Sequence, residues 1–434
     1  MPIDQPPLEL NGDFQYVLDQ LEKQGRSMFV TGRAGTGKST LLQLFRNTTR
    51  KKVVVLAPTG IAALNVRGQT IHSFFGFPPR PLARHEIKKR RNRRLYQNLD
   101  VLIIDEISMV RADLLDNIDY FLRINRGSPL PFGGAQVVFF GDLFQLPPVV
   151  ASDAEAMLFQ SHYDSPYFFS AQVFAEGLEM EMLELQKVYR QDNRRFLRLL
   201  EAVRLNHVDY DDLAELNERY LPDFEPEEFY ITLSARNARV DSINNRKLDE
   251  IPLPDRTYLA EIAGEFNPRL FPTEPALKLK LNAQVMLIKN DPERQFVNGT
   301  LGKVVDMKDR EITVMVEERD ARAREVQVEP VEWEILKYKP GEKDPAQIET
   351  ETIGTFKQFP LKLAWAVTIH KAQGKTFDKV IIDLGRGAFE HGQTYVALSR
   401  CRTLEGIVLR QPLQPRDVMT DERVVEFYQQ FFVL

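Results

Sequence analysis

The sequence predicts an α/β fold: parallel sheets flanked by helices, with a small β-barrel inserted late in the chain. Three observations predict it. Gly32-Arg33-Ala34-Gly35-Thr36-Gly37-Lys38-Ser39 matches the phosphate-loop pattern G-x-x-x-x-G-K-S/T without a mismatch. The apolar run Met28-Phe29-Val30 precedes it and the helix-forming stretch Thr40 to Phe45 follows, the strand–loop–helix setting that such a loop requires. Short β-branched runs ending in polar motifs alternate with helical stretches before and after it, as in βαβ units. From 265 to 360 the texture changes to brief strand-like runs separated by turn residues.

Taken in order, Asn11-Gly12-Asp13 reads as a helix start, and Phe14, Val17, Leu18 and Leu21 recur at helical spacing up to Gly25. After the phosphate-loop strand, Val53 to Leu56 reads as a buried parallel strand ending at Ala57-Pro58-Thr59-Gly60. A helix through Ala62, Ala63 and Leu64 follows, and the proline-rich Phe77 to Pro81 opens a basic excursion over 77–98. Val101 to Ile104, ending in Asp105-Glu106, and Val137 to Phe140, ending in Gly141-Asp142, complete the first set, so 1–180 is assigned to one domain. A second set begins near Glu181, with helices Arg194 to Val203 and Asp211 to Arg219. Its strands are Phe229 to Leu233, Lys379 to Asp383 and Gly406 to Leu409, so 181–264 and 361–434 form a second domain. The 265–360 insertion holds the short runs Val285 to Ile288, Gly302 to Val305, Ile312 to Val316 and Val326 to Val328. Lys337 to Gln347, charged and containing Pro340-Gly341, reads as a mobile surface loop.

Composition bounds the function. The 434 residues suggest about two to four domains. With 43% hydrophobic and 27% charged residues the chain reads as soluble and globular. Apolar runs such as Ala135 to Phe140 are too short to span a bilayer, and no basic region followed by an apolar stretch opens the chain. No membrane partner is expected. The single cysteine, Cys401, excludes an intramolecular disulfide and a cysteine-cluster zinc site, so a reducing, cytoplasmic compartment is expected. The net charge of −5, from 57 basic and 62 acidic residues, argues against nucleic acid as a partner by its sum. Its distribution argues otherwise, because Arg84 to Arg94 is a dense basic block; by itself such a run is ordinarily a solvated helix face.

The chemistry begins at the phosphate loop. Its glycines let successive backbone N–H groups converge on a phosphate chain, so Gly32, Ala34, Gly35, Thr36, Gly37, Lys38, Ser39 and Thr40 are the candidate nucleotide-binding residues. Lys38 supplies the charge for the β- and γ-phosphates, and the Ser39 hydroxyl is placed to ligate Mg²⁺. Asp105, after a buried strand, is assigned to the Mg²⁺ shell, and Glu106 is the candidate general base for the attacking water. Gln145, in Gly141 to Pro148, is a neutral amide able to touch both γ-phosphate and water, as a sensor of hydrolysis would. Arg190 and Arg400 are candidates for completing the site from a second core, although spacing alone selects them poorly among 57 basic residues.

These motifs occur in a definite order: the phosphate loop, Leu56 to Gly60, Ile104 to Met109, Gly141 to Pro148, Thr368 to Gly374 and Tyr395 to Arg400. Together they resemble a superfamily-one helicase of the B branch over nearly the whole chain. Pro131-Phe132-Gly133-Gly134-Ala135-Gln136 leading into Val137 to Asp142 resembles the signature of the Pif-type (petite integration frequency) DNA helicases; RecD-like relatives share the generic motifs but usually not that signature. The resemblance implies two RecA-like cores with ATP and Mg²⁺ between them and single-stranded DNA across their tops, moving 5′ to 3′. It implies that Gln15 reads adenine, that Arg190 and Arg400 are arginine fingers, and that Gly374 senses both nucleotide and DNA. Thr59, Gly60, His72 and Ser73 match DNA-facing positions of the first core, and Thr368, His370 and Lys371 those of the second. The insertion resembles an SH3-type barrel with Asn298-Gly299 near the strand path, and the basic excursion takes the place of a strand-separating wedge. Phe74, beside His72-Ser73, is a candidate base-stacking residue, with core packing as the competing assignment. The expected partners are single-stranded DNA and its junctions with duplex, with G-quadruplexes and RNA–DNA hybrids admitted as further substrates. Roles in replication, repair, recombination or telomere-type maintenance follow. The compact chain, ending soon after its last core strand, is expected to lack accessory domains and to act as a monomeric, nucleoid-associated motor of bacterial or viral type.

Three rivals stand beside this reading. A nucleotide-switched binding module would lack processive movement. A small-molecule kinase would need an acceptor site, and no motif suggests one. A RecD-like translocase that separates strands poorly differs from the helicase only in the basic excursion.

Overall fold

Runs of consecutive apolar residues become the central strands of parallel sheets, because such strands are covered on both faces. In the computed structural model, which describes residues 11–150, 153–191, 193–293, 295–317 and 323–432, two compact units form.

The first unit comprises 11–189, Glu334–Ile353 and 421–432 of the described residues. Its sheet contains β1 (Met28–Gly32), β2 (Val53–Ala57), β3 (Gln69–Thr70), β4 (Val101–Ile104), β5 (Gln136–Phe140) and β6 (Glu181–Leu185). The strands are parallel in the order β3-β2-β4-β5-β1-β6, and every residue of β1 and β4 is buried. The helix Gly12–Asp19 continues into a π-turn, Gln20–Gln24, and stops at the left-handed Gly25. Its Phe14, Val17 and Leu21 pack with Leu41, Leu42 and Phe45 of the helix Lys38–Thr48 over Val30, Val55, Ile103 and Val138. One core thus clamps the phosphate loop from both sides.

The first unit differs from the sequence reading in three places. Glu181–Leu185 pairs with Met28–Gly32 along its whole length, so the first sheet extends beyond the expected boundary at 180. The helix Glu422–Gln429 also joins this unit, its Phe427 stacked on Phe169 at 4.2 Å and its Tyr428 edge-on to Phe144 at 5.1 Å. The expected loop from Lys337 to Gln347 is largely the end of a hairpin. Gly341 donates to Gln347 O at 2.9 Å, and Tyr338 is buried with its hydroxyl accepting the Val55 N–H at 3.1 Å.

The second unit comprises Arg190–Trp333 and Gly354–Thr420. Its strands are β7 (Ile231–Ser234), β8 (Asp255–Leu259), β9 (Glu261–Gly264), β10 (Ala276–Lys280), β11 (Gln284–Leu287), β12 (Leu301–Met307), β13 (Ile312–Glu317) and β14 (Ala323–Val328). They are followed by β15 (Val331–Pro340), β16 (Ile348–Gln358), β17 (Leu361–Leu363), β18 (Ala366–Thr368), β19 (Val380–Asp383) and β20 (Ile407–Leu409), with the outer halves of β15 and β16 falling in the first unit. A parallel sheet runs β18-β7-β19-β20. The inserted segment forms an antiparallel sheet, β14-β13-β12-β11-β17, accompanied by the pair β10-β8 and the ladder β15-β16-β9. In β13 buried Ile312, Val314 and Val316 alternate with more exposed neighbours, the period of two that turns one face inward. They pack with Val285, Val304, Val326 and Val328. The all-β segment therefore starts near Asp255, ten residues before the expected boundary at 265, because β8 pairs with β10.

Candidate nucleotide and nucleic-acid sites

The motifs of the first unit lie at the carboxyl ends of three adjacent strands, β4, β5 and β1, where an open parallel sheet binds ligands. Gly32 closes β1 at φ +149°, and a Cβ there would meet Thr36 Oγ1 at 2.8 Å and the Leu185 carbonyl at 2.9 Å. Only glycine fits. Lys38 Nζ donates to the carbonyls of Gly32 and Arg33, the latter at 3.1 Å, and the Thr36 hydroxyl donates to Arg33 O at 3.0 Å. The loop is thus preformed around its own lysine. Ala34 is buried, Gly35 and Gly37 take positive φ, and Ser39 and Thr40 are exposed at the start of their helix.

Asp105 is 7% exposed, and burial pushes its carboxyl up to about 6, against the opposing pull of the Glu106 backbone N–H and the Lys38 ammonium. Glu106 sits at φ 51°, ψ 45°, a left-handed conformation that is strained for a side chain of this size and is found where function over-determines the backbone. It turns the chain sharply between two adjacent carboxylates. Next to it, Gly141 leaves β5 so close to the Ile107–Met109 turn that a Cβ would meet Ile107 Cγ2 at 3.0 Å. Asp142 then organises the following turn: its carboxylate accepts from the Phe144 N–H and from Gln145 Nε2, both at 3.2 Å. Gln145 is thereby held in the turn that leaves β5, the strand paired with β4, which ends at the acid pair.

Gln15 is exposed on its helix and donates to Asp19 at 3.4 Å. Tyr189, which sequence reasoning missed, belongs to the same wall of the site. Its N–H donates to Gly35 O at 2.9 Å, its hydroxyl accepts from Asn11 Nδ2 at 3.2 Å, and its half-exposed ring lies beside Gly37. An aromatic next to Arg190 was the available signal. Such a ring offers a nucleobase a stacking face.

The second unit brings Arg190 and Arg400 together. Arg190 Nη1 donates to Ser399 O at 3.1 Å; Arg400, 1% exposed, donates to Val396 O at 2.9 Å and to Ser399 Oγ at 2.8 Å. Burial first, and then the neighbouring Arg400 charge, lower the proton affinity of Arg190. Two enclosed guanidiniums held side by side favour an anion near them.

The DNA-facing candidates divide likewise. In the first unit, Thr59 is exposed and caps the helix Gly60–Asn65 by accepting the Ala62 N–H at 3.3 Å. Gly60 is buried beneath it, and Ser73 is exposed with its hydroxyl accepting from Gln69 Nε2 at 2.8 Å. In the second unit, Thr368 caps the helix Ile369–Ala372 in the same way, accepting from Lys371 N at 3.3 Å. Both threonine hydroxyls keep a proton to donate. His72 is half-buried, with burial and the Arg111 charge lowering its pKa; His370, also half-buried, lies 3.2 Å from the Glu390 carboxylate. Gly374 is exposed at φ +78°. The Asn298 N–H donates to Asn290 Oδ1 at 2.8 Å, and Gly299, at φ +103°, donates to Leu287 O at 2.8 Å.

Phe74 is corrected. It is 5% exposed, with its ring edge-on to Phe75, Tyr96 and Tyr338 at 4.9, 5.5 and 5.9 Å, so it packs the core rather than offering a face to a base. Phe74→Ala should destabilise the fold by about 3–5 kcal/mol, visible as a lowered Tm, while the folded fraction keeps its strand affinity. Loss of affinity without loss of Tm would restore the stacking role.

The basic excursion holds the short helix Arg94–Asn98 and a turn at Arg84–Glu86. Arg80 pairs with Glu86 at 2.6 Å and holds that carboxyl down to about 2. Arg90 is anchored, its N–H donating to Asn125 Oδ1 at 2.8 Å. Lys88, Lys89, Arg91 and Arg94 stay exposed. No helix of the described residues is long and apolar enough to cross a membrane.

A family model described as PIF1-like helicase matches residues 9–211. The chain is 34% identical to an ATP-dependent DNA helicase Pif1 of Bdellovibrio bacteriovorus, over 99% of this chain and 94% of that one. Longer eukaryotic relatives are covered less fully: the chain spans 61% of human ATP-dependent DNA helicase PIF1, at 35% identity. The structure of Bacteroides sp Pif1 in complex with ADP-AlF4 is similar with a TM-score of 0.90 and 38% identity, covering 98% of this chain and 97% of that one. Bacteroides Pif1 bound to ssDNA is similar with a TM-score of 0.69, at the same identity and coverage.

Proposed function

From the membership of this chain in the PIF1-like helicase family, we infer that it is an ATP-hydrolysing DNA helicase acting on single-stranded DNA and its junctions with duplex. The observation that carries the mechanism is the convergence of Lys38, Asp105, Glu106 and Gln145 at the ends of neighbouring strands, joined by the tight packing of Gly141 on Ile107.

In the proposed mechanism the backbone of Gly32 to Thr40 cradles the phosphates of ATP, with Gln15 and the Tyr189 ring at the adenine. Lys38 leaves its own loop carbonyls to neutralise the β- and γ-phosphates. Glu106 accepts the proton of the attacking water, and Gln145 orients that water. Ser39 and Asp105 fit Mg²⁺: the ion needs few protein ligands beside phosphate oxygens, and the exposed Ser39 hydroxyl and the Asp105 carboxyl are the hard oxygen donors it takes. When bound it would neutralise charge on the phosphate oxygens. Arg190 and Arg400 supply positive charge to the transferring phosphoryl group. Closure and reopening around the nucleotide, sensed at Gly374, would alternate the grip of Thr59, Gly60, His72 and Ser73 with that of Thr368, His370, Lys371 and the Asn298-Gly299 turn. Movement 5′ to 3′, the SH3-type character of the barrel, action as a monomer and a nucleoid-associated site belong to the same proposal. G-quadruplexes and RNA–DNA hybrids are substrates open to a motor that pulls on one strand.

The test is unwinding of a labelled duplex with a 5′ or a 3′ single-stranded tail, with ATP and Mg²⁺. Opening from the 5′ tail alone is expected; opening from the 3′ tail alone would overturn the polarity. Strand-stimulated ATPase with neither duplex opened would favour the translocase. The wedge is tested separately by neutralising Lys88, Lys89, Arg91 and Arg94, which should lower unwinding by roughly tenfold or more and leave strand-stimulated ATPase within about twofold. Equal loss of both would remove the wedge assignment.

A further inference from the structure

Three lysines of the second unit gather where little negative charge meets them. Lys362 is the middle residue of β17, Lys371 lies on the helix that Thr368 caps, and Lys375 follows Gly374. Lys371 is exposed, whereas Lys362 and Lys375 are half-buried. Lys362 has Lys371 and Lys375 as cationic neighbours and Glu274 as an acidic one, and Lys375 faces Arg400. The adjoining His370 is matched with Glu390, and Arg400 stands beside Arg190, so neither relieves the lysines. The stem of Lys375 lies against the turn expected on the strand path: a Cβ on Gly299 would stand 3.3 Å from its Cβ. In that turn the Asn298 side-chain oxygen is buried, and it has no hydrogen-bond partner among the described residues.

Enclosed ammonium groups facing other cations are costly unless a ligand brings the opposite charge. Phosphate is the ligand chemistry that suits several ammonium donors at once. It has two sources here, the backbone of a DNA strand and the nucleotide. The position of Lys362 on the barrel edge, and of Lys375 against Asn298-Gly299, points to the strand. We propose that Lys362, Lys371 and Lys375 form a cradle for backbone phosphates of the single strand, with Lys362 and Lys375 as added contacts beside the DNA-facing motif. This rests on the helicase reading.

Burial holds Lys362 and Lys375 down to about 8 in the free protein, with cationic neighbours acting in the same direction. A phosphate beside them raises both values, so strand binding takes up protons near pH 8. Affinity is then full below about pH 8 and falls as the pH rises through and above it.

The experiment uses the full chain and a fluorescein-labelled oligothymidylate, read by anisotropy over a salt series at pH 7 and a pH series to 9. Lys362→Met and Lys375→Met should each weaken strand binding roughly 3- to 10-fold and shallow the slope of log affinity against log salt by about 0.7. Lys362→Arg with Lys375→Arg should keep the affinity at pH 7 and flatten its decline toward pH 9, because guanidinium stays charged. Unchanged affinity and salt slope in both Met variants would overturn the cradle. Strand affinity kept in Lys375→Met with a raised KM for ATP would move that lysine to the nucleotide phosphate and overturn its assignment. Failure of the unaltered chain to bind the strand would instead count against the helicase reading.

Discussion

Glu106→Gln is expected to lower strand-stimulated ATP turnover by roughly 10²–10⁴-fold while leaving nucleotide and strand binding in place. The substitution keeps size and hydrogen-bonding reach but removes the carboxylate proposed to accept the water proton; the loss corresponds to about 3–5 kcal/mol of barrier. The left-handed backbone at Glu106 is untouched by a change beyond Cγ, so the turn to Ile107–Met109 should hold. Single-turnover hydrolysis followed by phosphate release, beside fluorescent-nucleotide binding, separates chemistry from affinity. Turnover within about tenfold of the unaltered chain would remove Glu106 as the base and turn attention to Asp105, which burial makes more basic than an ordinary aspartate.

Arg190→Ala is expected to cost roughly 10³–10⁵ in turnover, the range for an arginine acting on a transferring phosphoryl group. It is the cleaner of the two arginines to test. Arg400 is 1% exposed and bonds to Val396 and Ser399, so its removal also opens the interior. Arg190 shares the Ser399 carbonyl with Gln191 Nε2, which donates to it at 3.1 Å and to Cys401 O at 2.9 Å, and that anchor survives the substitution. Arg190→Lys should restore little, because a point charge does not reproduce the planar fork. Coupling of ATP turnover to strand binding is the second readout: an arginine that only supports the fold would lower Tm and leave the coupling intact. Combined with Arg400→Lys, the losses should be less than additive, since both groups are proposed to serve one phosphate.

Much of the candidate site is legible in the chain alone because its signals are local. The phosphate loop, the Asp105-Glu106 pair and the Gly141 to Gln145 turn each depend on a strand end and a few following residues, all within one short window. The errors lie where the deciding contact is remote. Glu181–Leu185 mixes acidic and apolar residues in a way that suits an edge strand of either sheet, and only its pairing with Met28–Gly32 assigns it. Charge and Pro340-Gly341 make 337–347 look like a free loop, yet Tyr338 is buried against Val55 and Phe74. Two adjacent phenylalanines beside Ser73 read equally as stack or core until the rings around Phe74 are seen. Tyr189 was passed over because its role comes from Gly35 and Asn11, far behind it in the chain.

What the sequence by itself determined is the set of motifs: a phosphate-loop pattern from Gly32 to Ser39, carboxylates at 105 and 106, and helicase motifs in a fixed order. These are short-range patterns in which residue type, spacing and backbone freedom state the function directly. What only the tertiary structure decided is which side chains share an environment. It set Arg190 beside Arg400, brought Lys375 against Gly299, and took Phe74 inside. Burial and charge proximity depend on chain segments tens to hundreds of residues apart, and no local pattern encodes which of many arginines, lysines and phenylalanines will meet.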